Sequence, residues 1–158
     1  MRAGAPTPPP GGFIWFCVMH ADDCLARQPV APRNATVSVD AIDTLEKVQA
    51  SVNETVRYAD EPPQRWDYPK NGSGNCNGFA MEKRRRLIQL GWPVRELRLA
   101  VAVTETDESH LVLVVSLPSG DVVMDNRRTD VTPWDQLPYR WIEAQDPANP
   151  TRWNAIAS

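Results

Sequence analysis

The fold is organised around the stretch Asn71-Gly72-Ser73-Gly74-Asn75-Cys76-Asn77-Gly78-Phe79-Ala80, where glycine-rich polar sequence turns into a helix. The glycines before the cysteine permit a turn and the close approach of a substrate. Strong helix formers run on to Leu90, and Gly91-Trp92-Pro93 is typical of a helix end. Cys76 thus lies in the first helical turn, where unpaired N–H groups and the positive end of the helix dipole favour a thiolate. This placement fits a nucleophile, and it fits a small, unreactive, buried cysteine equally well.

Composition narrows the class of protein. A chain of 158 residues is long enough for one domain with a single hydrophobic core. Its net charge of -3 argues against nucleic acid as the main partner, and we interpret the basic run Lys83-Arg84-Arg85-Arg86 as a solvated helix face. No apolar run approaches the roughly 20 residues of a membrane-spanning helix. We therefore expect no nucleic acid partner and no membrane span.

The N-terminal residues differ in composition from the rest. Arg2 to Gly12 are rich in Pro, Gly and Ala, which predicts a poorly ordered or extended segment. The apolar run Phe13 to Met19 is too short and too poorly flanked for a complete secretory signal, so we expect it to anchor on the main body. Gln28 to Asn34 is a second Pro-containing linker. We predict an extended N-terminal segment over residues 1–37 and a main folded domain over 38–158, with any signal peptide removed or outside this chain.

The three cysteines are unevenly spaced. In an oxidising compartment the natural pairing is Cys17 with Cys24, which closes a small loop and leaves Cys76 free. Two free thiols in a cytosolic protein are the alternative. Cys17, His20 and Cys24 also suggest a metal site, but a fourth ligand is not evident.

Periodicity predicts helices followed by strands. From Ser38, a candidate N-cap, to Ala59, apolar residues recur every three or four positions, as in an amphipathic helix. A loop carrying Trp66 then leads to the cysteine turn. The four predicted strands are Leu97 to Thr104, His110 to Leu117, Asp121 to Asp125 and Tyr139 to Ala144. This order indicates an α+β fold, with helices packed on an antiparallel sheet.

A cysteine nucleophile needs a base, and the base needs an orienting partner. His110 begins a predicted strand, and Asp125 ends the next one. Since the start of one antiparallel strand lies beside the end of its neighbour, the two side chains are expected to meet at one edge of the sheet. A helix lying on that sheet would bring Cys76 to them. A structural histidine and an aspartate that begins a turn are the plainer interpretations of the same residues.

These blocks resemble the bacterial transglutaminase-like cysteine proteinases, a papain-like family that includes periplasmic proteases releasing surface adhesins. The similarity covers residues 38 to 145 and is carried by Gly72-Ser73-Gly74-Asn75-Cys76, Ser109-His110-Leu111 and Met124-Asp125-Asn126. The resemblance implies a papain-like, transglutaminase-like α+β core. Cys76 would be the nucleophile of a thioester mechanism, His110 the general base and then acid, and Asp125 the residue that orients the imidazole.

The resemblance also implies the surroundings of the thiol. The Cys76 N–H and a donor from the loop holding Trp66 would bind the oxyanion, with Asn75 and Asn77 in the same groove. In adhesin-processing members acidic residues flank the cysteine and bind calcium, whereas Asn75, Asn77 and Gly78 stand here. Without those carboxylates, the hard ligands that calcium prefers, we predict no metal and no cofactor.

Three functions follow as hypotheses. The first is a periplasmic or secreted cysteine peptidase acting on a protein or peptide substrate, with an inhibitory regulator protein as in the adhesin-processing relatives. The second is acyl transfer to an amine by the same triad. The third is a catalytically inert peptide- or protein-binding module on the same fold.

Overall fold

The α-helices precede most strands of a large sheet along the chain in the computed structural model, which describes residues 1–24, 39–62 and 65–157. The helices are α1 (Gly11–Met19), α2 (Ala21–Cys24), α3 (Val39–Thr55) and α4 (Cys76–Gln89), with short 3₁₀ turns at Val94–Glu96 and Trp134–Gln136. The strands are β1 (Ala3–Thr7), β2 (Arg57–Tyr58), β3 (Ser73–Gly74), β4 (Leu97–Val103), β5 (Ser109–Leu117), β6 (Gly120–Met124), β7 (Thr132–Pro133), β8 (Arg140–Gln145) and β9 (Trp153–Ile156). None of the helices in these ranges is long and apolar enough to cross a membrane.

The main sheet is antiparallel throughout. Within the described ranges it has seven strands in the order β1-β9-β8-β4-β5-β6-β7. The polar run after β4 forms the predicted hairpin, with Val103 opposite Ser109 and Ala102 opposite His110. β2 and β3 form a separate parallel pair that leads the chain into α4. The predicted α+β arrangement of helices on an antiparallel sheet is confirmed.

The two faces of the sheet are covered differently. On β5, Leu111, Leu113 and Val115 belong to the larger core cluster, which contains buried residues of α1, α3 and α4. The alternate residues Val112 and Val114 belong to a smaller cluster on the other face. This period of two is what a strand buried on both sides requires. The sheet is therefore fixed from both sides at the level where β5 carries His110.

The basic run on α4 is not the solvated face that charge patterning suggests. Lys83 and Arg84 are 0% and 4% exposed, whereas Arg85 and Arg86 are partly exposed. Arg84 Nε donates to the Leu97 carbonyl at 3.3 Å, which gives the buried guanidinium a partner. The interpretation was wrong because α4 lies between α3 and the sheet, so its inward side buries even charged residues.

The first 24 residues are part of the same core. β1 pairs with β9, and Phe13 and Phe16 of α1 are buried in the larger core cluster, so the apolar run does anchor on the main body. A Cβ on Gly12 would lie 2.3 Å from ring atoms of Trp66, so α1 approaches that ring only because position 12 has no side chain. The expectation of a merely extended or poorly ordered stretch misses this helix. The predicted boundary at residue 37, the linker Gln28 to Asn34 and the candidate N-cap Ser38 lie outside the described residues.

Several boundaries differ from those in the sequence pattern. α3 ends at Thr55 rather than Ala59, because Arg57 and Tyr58 pair with Ser73 and Gly74. β1, β7 and β9 are short edge or near-edge strands that periodicity did not indicate. The hydrogen bonds of such strands come from distant partners, which a local pattern does not contain.

Candidate active site

Cys76 is the first residue of α4, and Asn75 caps that helix. Asn75 has extended backbone angles, and its Oδ1 accepts from the backbone N–H groups of Asn77 at 3.0 Å and Gly78 at 3.4 Å. Such a cap satisfies donors that the first turn leaves unpaired. The thiol is partly exposed, with Sγ 3.6 Å from Asn77 Oδ1. The N–H of Cys76 itself lies at the first helical position, where no i-4 carbonyl is available within the helix.

His110 and Asp125 form a buried pair. Nε2 of His110 lies 2.7 Å from Oδ1 of Asp125, and the two residues are 5% and 1% exposed. With the carboxylate ionised, Nε2–H is the donor, so Nδ1 is the ring nitrogen left for proton exchange with a thiol. His110 lies on β5, and Asp125 is the residue that follows β6, as antiparallel pairing predicts.

Asp125 is held on every side. Its Oδ2 accepts from the Tyr139 hydroxyl at 2.6 Å, and its Oδ1 also accepts from the Arg127 N–H at 2.9 Å. Its carbonyl accepts from Gln49 Nε2 of α3 at 2.8 Å and Asn53 Nδ2 at 3.3 Å. A carboxylate with this many donors keeps one orientation, which in turn fixes the imidazole.

The same contacts set the protonation of the pair. Burial opposes a charged His110, but hydrogen bonding to Asp125 and interaction with the Cys76 thiol outweigh it and raise the pKa of His110 to about 9. Burial likewise disfavours ionised Asp125, but hydrogen bonds from His110, Tyr139 and the Arg127 N–H lower its pKa to about 2. The arrangement therefore stabilises an imidazolium beside a carboxylate at neutral pH.

Cys76 and His110 line one open groove. Its walls carry three further residues singled out from the sequence, Trp66, Asn75 and Asn77. It also carries residues that sequence reasoning missed: Tyr58, Asp60, Glu61, Val101, Ser109 and Leu111. A second concavity with Glu108, Asn126 and Arg127 continues past the same cysteine and histidine. The two concavities together form a groove that runs past the thiol, a shape that suits an extended peptide.

Tyr139 is the most consequential side chain that sequence reasoning missed. It opens a predicted strand, and its ring lies 5.8 Å from that of His110 in an edge arrangement. A buried tyrosine hydroxyl almost always has a polar partner, and this was the available signal. On the sheet's other face, Trp141 packs against Tyr139, and Trp134 packs against Trp141.

The remaining cysteines lie away from this groove. Cys17 and Cys24 form a disulfide with Cα atoms 5.3 Å apart, and Cys76 is free. His20 bonds to Asp67 Oδ1 at 2.8 Å. With both thiols oxidised, the suggested Cys17, His20 and Cys24 metal site is wrong, since a disulfide sulfur is not a thiolate ligand.

The residues around the thiol do not fit a calcium ion. Asn75 Oδ1 is committed to two backbone donors, and Gly78 has no side chain. Asp60 and Glu61 reach the groove, but among the described residues no three His, Cys, Asp or Glu side chains gather as a metal site. Calcium takes six to eight oxygen ligands, and we derive no step through it.

Comparison with known proteins gives the family. The family model described as "Bacterial transglutaminase-like cysteine proteinase BTLCP" matches residues 3–158. A search of curated protein sequences found no significant match. Among solved structures, Legionella pneumophila LapG is 24% identical over 68% of this chain and 70% of its own, with a TM-score of 0.57. The calcium-bound form of Legionella pneumophila LapG is 20% identical over 83% of this chain and 84% of its own, with a TM-score of 0.58.

The structures share the fold, and the family match spans nearly all of the chain. The chain belongs to the bacterial transglutaminase-like cysteine proteinases.

Proposed function

We propose that the chain is a cysteine peptidase in which Cys76, His110 and Asp125 act as a catalytic triad. Membership of a proteinase family supports the reaction class. The single observation that carries the residue assignment is the buried His110–Asp125 pair, with Nε2 and Oδ1 2.7 Å apart, whose histidine lines one groove with the free thiol. Burying an ion pair of this kind costs desolvation free energy, which supports a role for the pair in orientation or chemistry rather than in stability alone.

The chemistry follows from the geometry. The Cys76 thiolate attacks the carbonyl carbon of a peptide bond, and the oxyanion forms near the first turn of α4. The C–N bond then breaks, the His110 imidazolium gives its proton to the departing amine, and a thioester remains. His110 next removes a proton from water, which attacks the thioester; the C–S bond breaks, the carboxylic acid leaves, and the Cys76 thiolate and His110 imidazolium are restored. Asp125 stays ionised throughout and stabilises the imidazolium.

The groove supports a peptide as the substrate. Trp66 is buried at 6% exposure and offers a flat apolar wall, while Asn75 and Asn77 offer amides beside the thiol. The backbone N–H of Cys76 is the proposed first oxyanion donor, with a second from the loop that holds Trp66. Because the residues flanking the thiol do not fit calcium, we propose that catalysis needs no metal at this position.

Selective alkylation and peptide hydrolysis test the assignment. We expect iodoacetamide at neutral pH to modify Cys76 far faster than an unfolded-state thiol, and His110→Ala to abolish that advantage. Cys76→Ala should remove all hydrolysis while leaving the circular dichroism spectrum unchanged. Slow alkylation together with no hydrolysis of any peptide in a diverse library would instead support the inert binding module.

A labelled primary amine separates the two enzyme hypotheses. Incorporation of the amine into the acyl product in place of water would identify an amine acyl transferase. We propose a periplasmic or secreted location, since the Cys17–Cys24 disulfide is typical of an oxidising compartment. An inhibitory regulator protein remains a prediction from the family resemblance.

A further inference from the structure

Lys83 is a buried lysine that the proposed mechanism does not use. It follows Cys76 by seven residues on α4, which places the two on the same side of the helix, two turns apart. Its side chain is 0% exposed, and Nζ has no hydrogen-bond partner among the described residues. An unpaired amine in a protein core is unfavourable, so this position needs a physical reason.

The charge that acts on Lys83 is that of Asp125. Burial lowers the pKa of Lys83, attraction to Asp125 raises it in part, and the result is about 7. Asp125 is itself 1% exposed, so little solvent lies around it to screen the attraction. Burial and the charge of Asp125 therefore place the proton exchange of Lys83 in the neutral range and link it to the carboxylate that holds His110.

The other titratable groups on the surrounding elements have partners of their own. On α4, Glu82 is paired with Arg85 and Arg86. On α3, Glu46 accepts from the Val131 N–H at 2.9 Å. On the neighbouring strand and loop, His110 bonds to Asp125, and the Arg128 guanidinium lies over the Tyr139 ring.

We propose that Lys83 is a positioning residue of the active site, which acts on His110 through the charge of Asp125. The role of Asp125 in this proposal rests on the proposed function. When Lys83 carries its proton, its positive charge draws on the Asp125 carboxylate and competes with the imidazolium. When Lys83 releases that proton, the carboxylate acts on His110 without this competition. A proton lost from the core thus strengthens the pair that activates Cys76.

A nuclear magnetic resonance titration of the whole chain tests the coupling without any substrate. The Asp125 carboxyl carbon and the His110 ring should show a small inflection near pH 7, before His110 itself titrates. The chain has two histidines, so the His20 signals serve as an internal reference. Lys83→Met should abolish the inflection, since Met fills a similar volume without a charge. The matched control Lys47→Met removes the same charge from a side chain that is 75% exposed and should leave the inflection unchanged.

Each outcome decides the proposal. An absent inflection in the wild-type chain, or one that survives in Lys83→Met, overturns it. Should Lys83→Met fail to fold, the wild-type Lys83 Cε signal takes its place: its midpoint must coincide with the inflection at Asp125, and separate midpoints overturn the coupling. If the inflection is present but no peptide is hydrolysed, the coupling stands and the proposed function fails. If peptides are hydrolysed and the inflection is absent, the proposed function stands and the coupling is overturned.

The pH profile of kcat/KM distinguishes a positioning role of Lys83 from a purely structural one. We expect kcat/KM of the wild-type enzyme to rise through an extra step near pH 7, by about two- to fivefold, as the competing charge is lost. Lys83→Met should show the other limbs of the profile without that step. A uniform decrease at every pH would assign Lys83 to packing alone.

Discussion

The Tyr139 hydroxyl donates a 2.6 Å hydrogen bond to Oδ2 of Asp125, the carboxylate oxygen that His110 does not use. A hydrogen bond to a charged group contributes about 1.5 kcal/mol or more, or roughly tenfold in an equilibrium. We therefore expect Tyr139→Phe, which keeps the ring, to lower kcat about tenfold and leave KM nearly unchanged. Steady-state kinetics on a fluorogenic peptide measure both, and Tyr58→Phe is a comparison that changes the groove wall instead. A change in KM alone would mean that Tyr139 does not act through Asp125.

Stability should depend on pH through His110. The folded-state pKa of His110, about 9, lies above its unfolded value of about 6.5. The contribution of His110 to folding stability is therefore complete below about pH 6.5 and is lost as the pH rises through 9. Urea unfolding of wild type and His110→Gln should show a difference in unfolding free energy that shrinks by on the order of 2 kcal/mol between pH 6 and pH 10. A constant difference would show that the histidine is not held as an imidazolium.

Asp125 should act in the opposite direction. The folded-state pKa of Asp125, about 2, lies below its unfolded value of about 3.9. The contribution of Asp125 to folding stability is therefore present above about pH 3.9 and is lost as the pH falls through 2. We expect Asp125→Asn to be most destabilising above pH 5 and to approach wild type near pH 2. Asp130→Asn, at an exposed position, is the matched control and should show little effect at either pH.

Two adjacent glycines on α1 offer a paired test of how the groove is held. A Cβ at Gly12 would lie 2.3 Å from Trp66, whereas one at Gly11 meets no atom within 4 Å. Gly12→Ala should lower the free energy of unfolding by about 2 kcal/mol through overpacking and reduce kcat/KM by displacing a groove wall. Gly11→Ala should be neutral, or stabilising by up to about 1 kcal/mol. Equal thermal melting temperatures for the two variants would contradict the close approach.

The Cys17–Cys24 disulfide closes a loop with a sequence separation of 7. A loop this short limits the entropic gain, so replacing both cysteines by serine should cost about 2 kcal/mol of unfolding free energy. The folded double variant should keep its peptidase activity, because the groove does not include either sulfur. Titration with Ellman's reagent should find one reactive thiol in the native protein, and three after reduction and unfolding.

Chelation tests the proposal that catalysis needs no calcium. The Asn75 oxygen is already occupied by two backbone donors, so we expect EGTA to change kcat/KM by less than about twofold and calcium to leave the melting temperature unmoved. Magnesium serves as the ionic-strength control. Activity that EGTA abolishes and calcium restores would contradict the assignment.

The sequence was sufficient to predict the helix that begins at Cys76, the hairpin that carries His110 and the strand before Asp125. Each follows from a local signal: glycines and helix formers around residue 76, and alternating apolar residues along β4, β5 and β6. The antiparallel connection then placed His110 and Asp125 at one edge, where the structure has them 2.7 Å apart. Short connections made this part of the fold predictable.

The features that the sequence did not predict depend on contacts between residues far apart in the chain. β1 is a strand because β9 pairs with it, and Lys83 is buried because α3 and the sheet enclose α4. Neither partner lies near these residues in sequence. Tyr139 likewise reaches Asp125 across a 14-residue separation that no periodicity marks. Local patterns specify elements, whereas these features follow from how the elements are assembled.

The pairing of β1 with β9 sets an order of events during synthesis. The first strand of the chain has its hydrogen-bonding partner at residues 153–156, and Phe13 packs against Trp153 with ring centroids 5.4 Å apart. A nascent polypeptide on the ribosome therefore carries β1 and the apolar α1 without the strand that covers them until β9 has been made. This sheet edge closes only once residues 153–156 have been synthesised, so β1 and α1 cannot complete their packing before that point.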